Sequence, residues 1–222
     1  MPRIAIIGAT GAEGFGLALR FAQAGATIRI GSRDAAKAQA AAERIREKLP
    51  AAEVTGYANT EAVSEAEIAI LTVPVTAQIA ILKSVRASLR PGTILVDATV
   101  PLEAAIGGSA TKPLALFAGS AAQQAARNVP ENVPVVAAFH NLGAELLTNL
   151  DDPIDSDVLI CGDKPEAKSA VSNLVSMLPG ARPIDAGPLD NARIVEQLTA
   201  LLITINIRHK VKHAGIRITG LE

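Results

Sequence analysis

The sequence predicts an α/β protein: a doubly wound parallel sheet followed by a small C-terminal α/β lobe. Three observations carry that expectation. Short apolar runs alternate with segments of helical period, a glycine-rich turn follows the first run, and apolar residues make up 49% of the 222 positions against 19% charged. Alternation of this kind demands right-handed crossovers and a parallel sheet covered on both faces. The apolar fraction can fill such a core and lies far from a disordered composition.

The elements follow in order. Arg3 to Ile7 is an apolar run ending at Gly8, and Phe15 to Ala24 carries apolar side chains at helical spacing up to Gly25. Thr27 to Ile30 reads as a second strand, Asp34 to Lys48 as an alanine-rich helix, and Glu53 to Gly56 as a brief third strand. Ile68 to Val73 is a buried-type strand stopped by Pro74, Ala77 to Leu89 a helix, and Thr93 to Val96 a strand after the Pro91-Gly92 turn. A helix around Leu116 to Arg127 and a strand at Val135 to Phe139 close the first domain, so residues 1–140 and 141–222 are the expected units. In the second, Asp157 to Cys161 and Arg182 to Asp185 read as strands, Pro165 to Leu178 as a helix, and Leu189 to about Lys212 as the longest helix.

Charge and cysteine content narrow the function. Lys plus Arg (21) nearly balance Asp plus Glu (22), leaving no long-range field to draw nucleic acid or anionic lipid, so any anion site is local. The single cysteine, Cys161, excludes an internal disulfide and a multi-thiolate metal centre and fits a reducing, cytoplasmic setting. Met1 to Gly8 reads as a strand rather than a targeting signal. Leu198 to Ile207 is too short to span a hydrocarbon core of ~30 Å and reads as a core helix. The expected partners are small molecules.

Gly8-Ala9-Thr10-Gly11-Ala12-Glu13-Gly14 joins the first strand to the first helix and is a variant of the dinucleotide-binding fingerprint of Rossmann-type folds. Gly8 suits a tight turn, Gly11 removes a side chain where backbone must approach a diphosphate, and Gly14 lets helix pack closely on sheet. The helix N-terminus adds unpaired N–H groups and partial positive charge. The second strand ends in Gly31-Ser32-Arg33-Asp34, where a site for NAD(H) usually places an acid against the ribose 2′-hydroxyl. Arg33 stands there instead. A guanidinium grips a 2′-phosphate through paired charge-assisted bonds, Ser32 adds a hydroxyl and Lys37 follows one turn on, so NADP(H) is favoured. Asp34 has two open readings: a cap for the helix at Ala35, or a ribose contact that loosens the selectivity.

The opening turn is similar to that of atypical short-chain dehydrogenases, but Tyr57, the only tyrosine, is followed four residues on by Glu61 and not by the lysine their chemistry uses. A second resemblance spans almost the whole chain. The turn at 8–14, Gly31-Ser32-Arg33, Leu71-Thr72-Val73-Pro74, Ala138-Phe139-His140, the run from Val158 to Asp163 and the block from Arg182 to Leu189 resemble the NADPH-dependent F420 reductase family. That resemblance implies reversible hydride transfer between NADP(H) and the 5-deazaflavin coenzyme F420. It implies that Thr10, Ser32, Arg33, Lys37, Val73 and Pro74 hold NADP(H) beside the turn residues Gly8, Gly11, Ala12, Glu13 and Gly14. His140, Gln197 and Thr199 would face the deazaflavin, with His140 as the catalytic residue, a hydrogen-bond donor to a ring carbonyl. A homodimer is a further implication. Two alternatives stay open at this point: an NADPH-dependent flavin or ferric reductase, and a non-catalytic NADP(H) redox sensor. Larger dehydrogenases with a similar first domain carry a long helical substrate domain, and about 80 residues are too few for one.

Other features read as structural. His209 and His213 are spaced to share a helix face, but their basic neighbours Lys210 and Lys212 favour a solvated helix end over a metal site. Cys161 in its apolar strand reads as a small buried hydrophobe. Asp97 and Asp185 read as loop or cap carboxylates.

Overall fold

The computed structural model describes residues 1–221. Eight strands form one sheet: β1 (Arg3–Ile7), β2 (Thr27–Ser32), β3 (Val54–Ala58), β4 (Ile68–Leu71), β5 (Ile94–Asp97), β6 (Val135–Ala137), β7 (Ser156–Gly162) and β8 (Ala181–Asp185), in spatial order 3-2-1-4-5-6-7-8. The six strands up to β6 are parallel, in a register that sets Ile4 between Ile28 and Ile68. The reversal of strand order at β1 and β4 opens a crevice at the carboxyl ends, which is where doubly wound sheets bind ligands.

Strand alternation sends side chains to two cores. Ile4, Ile6, Ile28, Ile30, Ile70 and Val136 point to one face, under α1 (Ala12–Gln23), α2 (Ala35–Lys48), α6 (Ala144–Thr148) and α7 (Pro165–Ser176). Ala5, Ile7, Leu71, Leu95 and Ala137 point to the other, under α3 (Asn59–Val63), α4 (Val75–Val85), α5 (Ala121–Ala126) and α8 (Ala192–His209). Burial on both faces explains why the strands read as continuous apolar runs.

The sheet is not wholly parallel. β7 runs antiparallel to β6, with Ala137 opposite Cys161, and β8 then lies parallel to β7. The chain turns back at the carboxyl end of β6, so that connection needs no full crossover. The C-terminal residues thereby extend the same sheet past residue 140.

That return is held by α1. The absent side chain of Gly16 admits Leu147, whose Cβ would lie 2.5 Å from a Cβ placed there. Arg20, buried on the same helix, donates to the carbonyls of Leu147 (3.1 Å), Leu146 (2.9 Å), Asp152 (2.8 Å) and Asn149. The last helix stops earlier than its pattern predicts: α8 ends at His209, and Lys210 adopts a left-handed φ of 54° that turns the chain away. His209 and His213 therefore do not share a helix. The segment beyond returns to β7, where Asp157 N–H donates to the Ile216 carbonyl (2.7 Å).

Candidate functional site at the carboxyl edge of the sheet

The glycine turn has the geometry its sequence implies. Gly8 has φ 98°, and a Cβ there would sit 2.4 Å from the Thr72 carbonyl oxygen, so both conformation and space require glycine. A Cβ on Gly14 would lie 2.3 Å from Thr72 Oγ1 and 2.8 Å from Ala9 Cα, which shows how tightly α1 presses on the sheet. Gly11 begins that helix in extended conformation with no side-chain cap. The first-turn N–H groups and the positive end of the helix dipole thus face the crevice, a ready site for a diphosphate.

A cleft of about 550 Å³ opens beside this turn. Gly8, Thr10 and Gly11 form its floor, Ser32, Arg33 and Lys37 one wall, and Val73 and Pro74 the other. Asp34 accepts from the N–H groups of Ala36 (3.0 Å) and Lys37 (3.4 Å), so its carboxylate is engaged as the cap of α2. Arg33 and Lys37 remain exposed, and among the described residues neither enters an ion pair. The pattern left Asn59 unnoticed: it is 6% exposed, lines the cleft and holds Oδ1 without a partner. An orphaned acceptor in the wall of a polar cleft fits a ligand that donates hydrogen bonds.

The side chains of Ala12 and Glu13 do not line this cleft, and residues 12–14 offer it only the main-chain N–H groups of the first turn. Ala12 is exposed on the first turn, Gly14 is packed under the helix, and the half-buried Glu13 lies near enough to Asp97 to feel its charge. Burial and that charge push the Glu13 carboxyl up to about 8. Asp97, at the end of β5, is fully buried, and desolvation lifts it to about 7 although Thr99 and Gln78 stabilise its charge. Gln78 Nε2 donates to Asp97 Oδ2 at 2.9 Å. Glu196 on α8 is 1% exposed and accepts from the N–H groups of Ala121 (2.8 Å) and Ala122 (3.0 Å), yet burial raises it to about 8. Reading Asp97 as a cap missed this group of acids, because α8 delivers Glu196 from a distant part of the chain.

His140 follows β6 in a strained loop. Phe139 is fully buried with φ 74°, a left-handed conformation that non-glycine residues rarely adopt. His140 is 3% exposed, and both its ring nitrogens lack hydrogen-bond partners. Desolvation lowers it to about 4 although the nearby Asp97 main chain favours the charged form, so the ring is neutral at pH 7 and offers one N–H donor. Thr199 Oγ1 donates to the His140 carbonyl at 2.7 Å, and the two residues line one small cavity. Gln197 lies elsewhere: it is exposed and lines neither this cavity nor the cleft.

A larger cavity, of about 870 Å³, lies at the opposite, amino-terminal end of the sheet, lined by Arg3, Glu67 and Thr93. It contains none of the residues singled out by sequence, and parallel sheets place their ligands at the other end. Among the described residues, no three His, Cys, Asp or Glu side chains come together as metal ligands, and no helix is long and apolar enough to cross a membrane.

Comparison with known proteins agrees with this arrangement. The family model described as NADP oxidoreductase coenzyme F420-dependent matches residues 3–101. The F420-dependent NADP reductase of Methanothermobacter marburgensis is 46% identical over 222 residues, covering 99% of both chains, and that of Methanocaldococcus jannaschii is 42% identical with the same coverage. A crystal structure of a candidate F420-dependent NADP reductase from Arthrobacter superposes with a TM-score of 0.83 at 25% identity, over 99% of this chain and 100% of that one. The 3-hydroxyisobutyrate dehydrogenase of Mycobacterium tuberculosis, at 15% identity and a TM-score of 0.66, shares the fold; this chain covers 62% of it. Full-length identity above 40%, on a fold whose glycine turn and basic wall are in place, shows that the chain belongs to the family of F420-dependent NADP reductases.

Proposed function

We propose that this protein transfers a hydride between NADP(H) and the deazaflavin coenzyme F420. The observation that carries the reading is the cleft beside the glycine turn, walled by Ser32, Arg33 and Lys37, in a chain alignable end to end with reductases of that name.

The residues divide the work. First-turn N–H groups of α1 would hold the diphosphate, while Arg33, Lys37 and the Ser32 hydroxyl would hold the 2′-phosphate. Val73 and Pro74 give an apolar wall against which the nicotinamide end would be oriented. The chemistry of hydride donation and acceptance is supplied by the two coenzymes when bound, so the protein contributes proximity, alignment and exclusion of water. His140, neutral and buried beside the Asp97 main chain, would serve as a donor to an acceptor on the second ring.

The test is direct. NADPH and oxidised F420 are mixed with the protein and the deazaflavin absorbance is followed; its loss, in proportion to enzyme, is the expected result. An unchanged absorbance with NADPH shown to bind would rule out the proposal.

A further inference from the structure

The cavity beside His140 holds more unpartnered polar atoms than a packed interior tolerates. His140 Nδ1 and Nε2 and Asn141 Oδ1 are all buried without partners, on residues 3% and 6% exposed, and both residues line this one space. Its volume is about 70 Å³. Ligand pockets run to roughly 300–1,000 Å³, so a tricyclic ring cannot reach His140 unless part of the wall moves.

One wall is formed by the segment after α8, through Lys212, His213 and Ala214. This segment is fixed at both ends and, among the described residues, tied between them only to Asn206 and Glu145. The left-handed Lys210 marks its start. At its far end Ile218 N–H donates to Asp157 Oδ2 (2.6 Å) and Arg217 pairs with Asp155 and Asp157. In between, the ties run to two residues: Asn206 accepts from Val211 N–H (3.1 Å) and Ala214 N–H (2.8 Å) and donates to the Lys212 carbonyl (3.4 Å), and Lys212 pairs with Glu145 (2.6 Å), both of those side chains being more than half exposed. An exposed ion pair of this kind is weak and screened by salt.

The same segment carries a run of basic residues unlike the rest of the chain. Between residues 208 and 217 stand Arg208, His209, Lys210, Lys212, His213 and Arg217, with no acid among them, although the whole chain has a net charge of −1. Among the described residues, Arg208, His209, Lys210 and His213 enter no ion pair. Coenzyme F420 bears, beyond its ring, a phosphodiester and glutamyl carboxylates, an arm with the complementary charge.

We infer that residues 210–214 are a cationic flap: it lifts off the His140–Asn141 cavity to admit the deazaflavin ring and then holds the anionic arm through Lys212 and His213. This inference rests on the F420 reading above and adds to it a moving part and a subsite.

Two experiments test it. A Cβ on Gly143 would lie 4.0 Å from the His213 Cβ, within disulfide reach, and Gly143 has φ −72°, open to any residue. The G143C/H213C variant, oxidised, should bind NADPH normally yet reduce F420 at least about tenfold more slowly in kcat/KM, recovering when reduced. Equal turnover in the oxidised and reduced forms would refute the flap. In the K212Q/H213Q variant the ratio of kcat/KM for F420 to that for its ring-and-ribityl fragment, which lacks phosphate and glutamate, should fall about tenfold, with a weaker salt dependence than the parent. An unchanged ratio would refute the subsite. Failure of the parent enzyme to reduce either deazaflavin would instead remove the F420 reading, and the flap with it.

Discussion

We propose that Arg33 discriminates between two coenzymes that differ by one phosphate. It sits at the end of β2 with its guanidinium free, and the adjacent carboxylate of Asp34 is committed to capping α2. Arg33→Ala should weaken NADPH binding by about 1.5–3 kcal/mol, the worth of hydrogen bonds to a charged group, and leave NADH binding nearly unchanged. Calorimetric titration with each coenzyme measures both; an equal loss for the two would mean that Arg33 only maintains structure. This part of the site was legible in the sequence because the glycine turn and the end of β2 are local features at fixed offsets. The acids were not. Asp97 is raised to about 7 and Glu196 to about 8 by burial, and only the fold reveals burial. Their ordinary values are 3.8 and 4.5, so between about pH 4 and 8 the native state binds more protons than the unfolded chain, and stability declines as pH rises. Asp157 works in the opposite sense: Arg182 holds its carboxyl well below the usual range, so its contribution is complete above about 3.8 and is lost as pH falls further. The melting temperature should therefore drop by about 5 °C or more between pH 5 and pH 8. Glu13, raised to about 8, adds to the same decline, so the E13Q/D97N/E196Q variant should lose most of that slope, and a slope equal to the parent's would show that these carboxyls do not titrate as described.

At the scale of elements, the long periodic segments were readable and the short ones were not. α1, α2, α7 and α8 each show an apolar face over three turns or more, whereas α3 and α6 are five residues long and carry too few positions to display a period. The helix expected around Leu116 to Arg127 shrinks to Ala121–Ala126, with Ser120 as its cap accepting from Gln123 N–H at 3.0 Å. α6 matters out of proportion to its length, since it carries Glu145 and adjoins the loop that presents His140. Arg20 is what fixes it. With four main-chain carbonyls bonded to one buried guanidinium, Arg20→Met should destabilise the protein by roughly 3 kcal/mol, read as a lower urea midpoint at unchanged slope. Exchange of the amides at 144–149 should quicken more than that of β1, because the carbonyls left without a donor are all on that side. Uniform acceleration across the sheet would mean that Arg20 stabilises the whole fold and does not specifically pin α6.

At the scale of the whole molecule, the question is whether residues 1–140 and 141–222 behave as separable units, as the strand pattern suggests. The packing argues for one cooperative body. β7 pairs with β6 and prolongs the sheet, and Ile154, Val158, Ile160, Val171 and Leu174 belong to the same apolar cluster as Ile4, Ile6, Phe21 and Val136. On the opposite face, Leu159, Cys161 and Val195 join Leu71, Leu95 and Ala137. A chain ending at residue 140 would bare the edge of β6, leave the Gly16 groove of α1 empty and orphan Arg20, three costs with nothing to offset them. The full chain should accordingly unfold in one transition, with far-ultraviolet circular dichroism and intrinsic tyrosine fluorescence from Tyr57 coincident along a urea series. The fragment 1–140 should melt broadly or aggregate. Two resolved transitions in the full chain, or a fragment that unfolds sharply by itself, would show that the C-terminal lobe is an appendage on a self-sufficient domain and not the second half of one core.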